Sequence, residues 1–326
     1  MSVSDMALSA ELRAWLLDGS DPSVRYRVLR ELLDRPEDDP EVSAARKEIG
    51  ARGWSAEILA RQLPEGQWVT PGTTAQEIYR PEYTATNWCM IVLSDLGATR
   101  SDPRVARAAE LLLDRYSGPD FDELGGADSE VCCTGNDVRM MTRFGYGDDP
   151  RIVRATRWLV AAQKPDGGWH CHPSETGTLD AWEALAALAA LPKERRSPEI
   201  RKAIDRGLEF FLDRELMHED GATYAPWLRL HYPVHYYYDV LAGLDFVMAL
   251  EKADDPRLQP ALAWLEGRRN RDGTWNLDAL HPDLEDEAYL RGMRTPYFSF
   301  GLEFPGRPSR WITTTALTVL RRAGRL

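Results

Sequence analysis

The stretch DPRIVRATRWLVAAQKPDGGW, residues 149–169, reads as one helix together with its start and its stop. Asp149 is an N-cap acceptor. Pro150 suits the first helical position because its φ is preset and the N–H it lacks would have no partner there. Apolar residues then recur at helical spacing, and Asp166-Gly167 ends the run in a turn.

The same unit recurs along the chain. Helix starts of the Asp-Pro or Ser-Pro kind stand at Asp21-Pro22, Asp39-Pro40, Asp102-Pro103, Asp149-Pro150, Ser197-Pro198 and Asp255-Pro256. DPRVARAAELLLDRY and DPRLQPALAWLEGRR repeat the pattern closely, and SPEIRKAIDRGLEFFL is a weaker copy. Turns follow at Glu65-Gly66, Gly125-Gly126, Asp166-Gly167, Asp220-Gly221 and Asp272-Gly273. Three turns close on tryptophan, as QLPEGQW, QKPDGGW and RNRDGTW, with Gln62, Gln163 or Arg269 six residues ahead of Trp68, Trp169 or Trp275. A period of about fifty residues accommodates two helices and their connections.

Between the turns a second, more apolar set of helices is predicted, over 24–33, 84–96, 134–144, 180–191, 236–250 and 311–323. Segments such as WEALAALAAL are apolar on every side, as befits helices shielded all round. Alternation of amphipathic outer and apolar inner helices describes a closed ring of about six helical hairpins. The expected fold is therefore all-α, an α/α toroid forming a single domain over residues 1–326. The segment 281–310 fits no repeat and is expected to be an irregular cover over the ring.

Composition narrows the function. With 326 residues and 43% apolar content the chain builds a large core. A formal charge of −12 opposes binding to phosphate backbones, so nucleic acid is not an expected partner. The N-terminal residues carry Asp5, Glu11 and Asp18 without a basic start and apolar run, and the longest apolar stretch falls far short of a membrane span. A soluble cytoplasmic protein is the reading. Four cysteines, at 89, 132, 133 and 171, are too few for a disulfide scaffold and are expected as reduced thiols.

Q-x-x-D-G-x-W closing an outer helix resembles the QW-type repeat of squalene cyclases and related terpene cyclases, and the glycine-rich turns of protein prenyltransferase β-subunits. The resemblance covers nearly all of the chain beyond Val24, and QKPDGGW is a near-complete match. GRPSRWITTTALTVL, and CCTGN followed by DGGWHC, are similar to small bacterial prenyltransferase/squalene-oxidase repeat proteins. The resemblance implies the toroid and an isoprenoid-type substrate, but one fold hosts several chemistries.

In such a ring the inner helices point the same way, so their N-terminal ends converge. Tyr83, Thr84 and Trp88 would meet Cys132, Cys133, Asn136 and Arg139, then Asp180, Trp182 and Glu183, then His235, Tyr236, Tyr238 and Asp239, and finally Trp311 and Thr313. Trp88, Asn136, Trp182, Tyr238 and Trp311 are the expected pocket walls for an apolar small molecule. Single aromatic residues of this kind also serve simply as core.

The cysteines suggest a metal. Thr134-Gly-Asn-Asp137 resembles a capping box, which puts Cys132 and Cys133 just ahead of a helix N-terminus where the dipole favours thiolate. Cys171 follows the next tryptophan turn. Two thiolates and an imidazole would hold Zn²⁺ with one open position, the pattern of catalytic zinc; the imidazole would come from His172 or His235. Protein prenyltransferases hold zinc with Asp, Cys and His at inner-helix starts. Asp180 matches the Asp, Trp182 replaces the Cys, and His235 lies within a residue of the His. Lanthipeptide cyclases, a second zinc toroid, pair an earlier Cys with an adjacent Cys-His, which Cys132 and Cys171-His172 resemble. Cys132 is preferred to Cys133 because the small repeat proteins carry Cys-x-Thr-Gly. Cys89, within a helix, is read as a small buried hydrophobe.

The expected activity is a zinc enzyme with Cys132, Cys171 and His235 or His172 as ligands, and with Asp180, Asp239, Tyr236 and Arg139 placed to act on substrate. No nucleotide cofactor is expected. The acid-rich D-x-D-D set of proton-initiated cyclases is missing at the inner-helix starts, its nearest match being Asp283-Leu-Glu-Asp286. A metal-free cyclase using Asp180 or Asp239 as acid, and a non-catalytic ring binding lipid or protein, are the alternatives. Asp180-Ala-Trp-Glu183 also reads as a capping box.

Overall fold

A computed structural model describes residues 8–68, 78–79, 85–114, 117, 130–235, 237–280 and 302–326. Among these, regular structure is helical, with isolated bridges but no strand. The α-helices are α1 (Ala10–Leu16), α2 (Pro22–Arg27), α3 (Pro40–Glu48), α4 (Gly53–Leu59), α5 (Thr86–Asp95), α6 (Pro103–Leu113) and α7 (Val131–Met141). They continue as α8 (Pro150–Ala161), α9 (Glu183–Ala190), α10 (Pro198–Leu212), α11 (Val240–Ala249), α12 (Gln259–Gly267) and α13 (Arg310–Arg322). No helix among the described residues is long and apolar enough to cross a membrane.

Contacts group the chain into two units. One comprises Met1–Arg61, Ala225–Pro233 and Asp239–Leu326; the other comprises Gln62–Tyr224 and Val234–Tyr238. In the second unit α5 packs on α7 and α7 on α9, while α6, α8 and α10 lie against α5, α7 and α9 respectively. In the first unit α2 packs on α3, α4 and α13, and α11 on α12 and α13.

The Asp-Pro starts form as the sequence predicts. Asp102, Asp149 and Asp255 each accept the N–H of the arginine two residues on at 2.9 Å, and that arginine folds back onto the same carboxylate. α6 and α8 bury one stripe, Val105, Ala108, Leu112 and Ile152, Ala155, Leu159. α5 instead buries every residue from Thr86 to Ser94, and α9 every residue from Glu183 to Leu188. These are the fully buried and one-sided helix classes that hydrophobic periodicity distinguishes.

The tryptophan turn has a mechanical reason. Gln163 Nε2 donates to Gly167 O and to Ala203 O of α10, both at 2.8 Å, so one amide fastens a turn to the next amphipathic helix. Gln62 does the same with Gly66 O and Arg104 O of α6, both at 2.9 Å. Trp169 is fully buried, and its indole N–H donates to Leu159 O at 2.7 Å. Gly167 has φ of 94°, the left-handed region that a side chain disfavours.

Three helix starts differ from expectation. α7 begins at Val131, so Cys132 and Cys133 lie inside its first turn rather than ahead of it. The 180–191 helix is replaced by a 3₁₀ turn, Leu179–Ala181, capped by Thr178, and then by α9 from Glu183. Asp180 therefore does not cap, and Glu183 is not its capping-box partner. α11 begins at Val240 because Asp239, in extended backbone, is its N-cap and accepts Ala242 N–H at 2.7 Å. Tyr83, Thr84, Gly125, Gly126, Tyr236 and residues 281–301, which include Asp283 to Asp286 and most of the expected cover, lie outside the described residues.

Candidate metal centre

The N-terminal turn of α7 gathers the chemistry. A first helical turn leaves N–H groups without intrahelical acceptors, and these favour an anion. Cys171 arrives from the segment after the Trp169 turn, and its interaction with Cys132 holds its thiol below the ordinary pKa against the opposing effect of burial. Cys132 moves the other way: its interactions with Cys133 and Cys171, and then its burial, push its thiol well up.

Glu130, the exposed residue just ahead of α7, makes no capping bond. Its carboxylate instead accepts from the thiols of Cys132 at 3.7 Å and Cys133 at 3.8 Å. Among the described residues, Glu130, Cys132 and Cys133 form the set of three donor atoms mutually within 4.8 Å, which is the spacing ligands need around one ion.

Glu183 acts electrostatically on the same turn. It opens α9, is fully buried, and neither carboxylate oxygen has a hydrogen-bond partner among the described residues. Burial pushes its pKa well above the carboxylate range, the Cys171 thiolate adds to that, and the Arg139 guanidinium opposes it. Arg139 is buried on α7, donates to Asn136 Oδ1 at 2.9 Å and lies 4.9 Å from the Trp182 ring centroid. Cys132, Cys133, Cys171, Asn136, Arg139, Trp182 and Glu183 thus share one neighbourhood in the second unit.

The expected imidazoles are not part of it. His172 is exposed and its N–H donates to His170 Nδ1 at 3.0 Å. His235 is buried with its ring edge-on to Trp88, centroids 4.9 Å apart. Neither belongs to the set of Glu130, Cys132 and Cys133, and nor does Cys171. Asp180 is exposed on the 3₁₀ turn, where its charge acts on Cys171.

The remaining expected residues fill other roles. Trp88 donates its indole N–H to Tyr79 O at 2.7 Å, and Tyr238 donates its hydroxyl to Leu216 O at 2.7 Å while packing on Phe211. In the first unit Trp311 stacks on Tyr232, centroids 4.4 Å apart, with the Arg27 guanidinium 4.5 Å from its centroid. Asp239, besides capping α11, lies 2.9 Å from His231 Nδ1, a buried pair that fixes the preceding segment to the helix. A groove of about 570 Å³ lined by Met248, Ala249, Glu251, Ala253, Asp254 and Arg322 holds none of the expected residues.

Sequence reasoning placed Glu183 among the converging residues but gave it only a capping role, and it passed over His231. The signal for Glu183 was present: it is the one charged residue in the run WEALAALAAL, where every neighbour is apolar.

No family model matches the chain, and no curated protein matches it. Solved structures similar to it include a protein from Actinoplanes, 20% identical with a TM-score of 0.41 over 94% of this chain and 90% of that one. A type II terpene cyclase from Scytonema, without ligand, is 16% identical with a TM-score of 0.31 over 86% of this chain and 99% of that one. The same cyclase bound to geranylgeranyl dihydroxybenzoate is 15% identical, also at 0.31, over 86% and 97%.

Proposed function

We propose that the chain is a zinc-dependent enzyme acting on an apolar, isoprenoid-class small molecule, with Cys132 and Cys133 as thiolate ligands, Glu130 as an oxygen donor and Cys171 as a third thiolate drawn in from the segment after Trp169. The observation that carries the reading is the set of Glu130, Cys132 and Cys133 donor atoms, mutually within 4.8 Å at the start of α7, with Cys171 acting on Cys132 from the neighbouring segment. Soft thiolates with an oxygen donor nearby suit zinc better than calcium or magnesium, which prefer oxygen throughout. Histidines 172 and 235 are not in the proposed ligand set. The substrate class is the one the QW-type repeats imply, and the α/α toroid is the architecture proposed with it, supported by the two helix classes.

When bound, zinc supplies a Lewis acid that polarises a carbonyl or activates a bound thiol or water. The chain's own residues prepare for it. Ligation requires thiols to lose protons, and Glu130 is the acceptor already hydrogen-bonded to two of them. Arg139, held by Asn136, supplies fixed positive charge beside the anionic donors. Arg139 is buried, which suits it to this electrostatic role more than to capture of a substrate anion.

The test is the metal content of protein purified without chelator, wild type beside Cys171→Ser and Cys132→Ser. Near one equivalent of zinc in wild type, lost in both variants while the helical circular dichroism signal persists, is the expected result. A folded wild type without metal overturns the reading and directs the search to acid-initiated cyclisation or to ligand binding.

A further inference from the structure

We infer that Cys132 and Cys133 form a reversible disulfide that moves the start of α7 from Val131 to Thr134. The inference stands apart from the zinc reading. Both use the same two sulfurs, so a bound ion and the disulfide exclude each other.

The two thiols are gathered on one oxygen. Cys132 and Cys133 both donate to Glu130 Oε2, at 3.7 and 3.8 Å, and the three donor atoms lie within 4.8 Å of one another. Access is one-sided: Cys133 is the one residue of α7 that is not buried, and Cys132 beside it is covered. A half-exposed thiol meets an oxidant first, and an adjacent thiol then resolves the sulfenic acid. With a hydroperoxide as oxidant, the Cys133 sulfur bonds to its terminal oxygen, the O–O bond breaks, and the other oxygen leaves as alcohol, or as water from hydrogen peroxide, with the thiol proton. The Cys132 sulfur then attacks the Cys133 sulfur, and hydroxide departs as water with the Cys132 proton. Two thiols lose two electrons and the peroxide gains them. Glu130, hydrogen-bonded to both thiols, is the acceptor at hand for each proton.

Backbone geometry supplies the consequence. Adjacent Cα atoms are about 3.8 Å apart, closer than the roughly 4.4–6.8 Å a disulfide usually spans, so a bond between neighbours distorts the helical turn and is easily reduced again. The turn that must open is lightly held. Glu130 gives it no side-chain cap, and the first bond it surrenders is that from Thr134 N–H to Glu130 O, at 3.0 Å. A second start lies directly behind it. Thr134-Gly-Asn-Asp137 is the capping-box-like pattern from which the sequence predicts a helix beginning at Thr134, yet the observed helix runs through it from Val131. With Thr134 as N-cap its hydroxyl accepts Asp137 N–H, which offsets the bond given up. Gly135 to Met141 stay helical. The close approach of Gly135 to Glu183, where a β-carbon would stand 2.7 Å from the carbonyl carbon, is therefore kept, and the change is confined to one turn.

The experiment uses full-length protein treated with chelator and then with stoichiometric hydrogen peroxide. Residues 116–139 form a single tryptic peptide, between Arg115 and Arg139, whose cysteines are Cys132 and Cys133. In oxidised wild type this peptide should be lighter by two hydrogens and should resist alkylation until it is reduced. Amide exchange at Thr134, Gly135 and Asn136 should quicken while Val138 to Met141 keep their protection. Thr134→Val keeps the side-chain shape and removes the second cap, so its dithiol–disulfide equilibrium in a glutathione buffer should shift toward the dithiol by about fivefold. Linkage to the Cys171 peptide, or sulfinic acid on Cys133, in place of the internal disulfide overturns the inference. So does unchanged exchange in oxidised wild type, or an equilibrium unmoved in Thr134→Val. If Thr134→Val fails to fold, the wild-type mass and exchange decide alone. A wild type that forms the disulfide but takes up no zinc upholds this inference and sinks the zinc reading by itself.

Discussion

Gly135 of α7 lies directly on the backbone of Glu183 in α9, with room for hydrogen alone: a β-carbon would meet the Glu183 carbonyl carbon at 2.7 Å and Ala184 N at 2.9 Å. Two effects oppose each other in Gly135→Ala. Alanine is favoured over glycine in a helix interior by about 1 kcal/mol, whereas overpacking typically costs about 1–3 kcal/mol. The clashing atoms belong mainly to backbone, which cannot rotate away, so sterics prevail. Denaturant unfolding should show Gly135→Ala less stable than wild type, with weaker zinc uptake as α7 and α9 are pushed apart. An unchanged midpoint would mean the helices separate without resistance.

The tryptophan turns should not be equivalent. Gln163 makes two donor bonds at 2.8 Å and accepts from Arg206 at 3.0 Å, joining its turn to α10. Arg269, at the same place in the third turn, makes a single long bond of 3.4 Å to Gly273 O and covers Trp275. At about 0.5–1.5 kcal/mol per bond, Gln163→Ala should lose about 2 kcal/mol. Arg269→Ala, exposed and nearly unbonded, should lose less than about 0.5 kcal/mol. Urea midpoints of the two variants check the ranking, and equal losses would show that the glutamine is not the fastener.

These contrasts explain what the sequence made legible. Helix class and turn position are local properties, so Asp-Pro starts and periodicity located α6, α8, α10 and α12, and the apolar runs located α5 and α9. The candidate ligands were half legible. Cys132 and Cys171 were visible because a thiol beside a helix start or a turn is conspicuous. His172 and His235 were chosen by residue type, yet which imidazole reaches a sulfur depends on where a ring packs, and Trp88 holds one of them. Glu183 was misread because a carboxylate three residues after Asp180 fits a capping box; only the 3₁₀ turn capped by Thr178 turns it inward.

Stability should fall between pH 4.5 and 8 through one carboxyl in the first unit. Burial raises Glu303 to about 7 from 4.5, although its oxygens accept from the Ser309 hydroxyl and from Arg310 N–H at 2.7 Å. Because the folded pKa lies above the unfolded one, the native state binds this proton more tightly. Its contribution is therefore complete below about pH 4.5 and is lost as pH rises through about 7, by about 3 kcal/mol in all. Glu303→Gln should flatten this part of the pH profile of unfolding free energy. An identical slope in the variant would assign it to other groups.

Thiol reactivity tests the order of thiol acidity at the α7 turn. Alkylation proceeds through the thiolate. In metal-free protein the interaction with Cys132 holds Cys171 below its ordinary pKa, whereas Cys132 is pushed up and buried. Limiting iodoacetamide at neutral pH, followed by peptide mass mapping, should find Cys171 modified well before Cys132, with Cys89 inert inside α5. Saturating zinc should protect Cys171 and Cys132 together, since both sulfurs would then be coordinated. Protection of neither, in protein shown to hold zinc, would place the metal elsewhere. Faster labelling of Cys132 than of Cys171 would mean that the proton sits on the other sulfur.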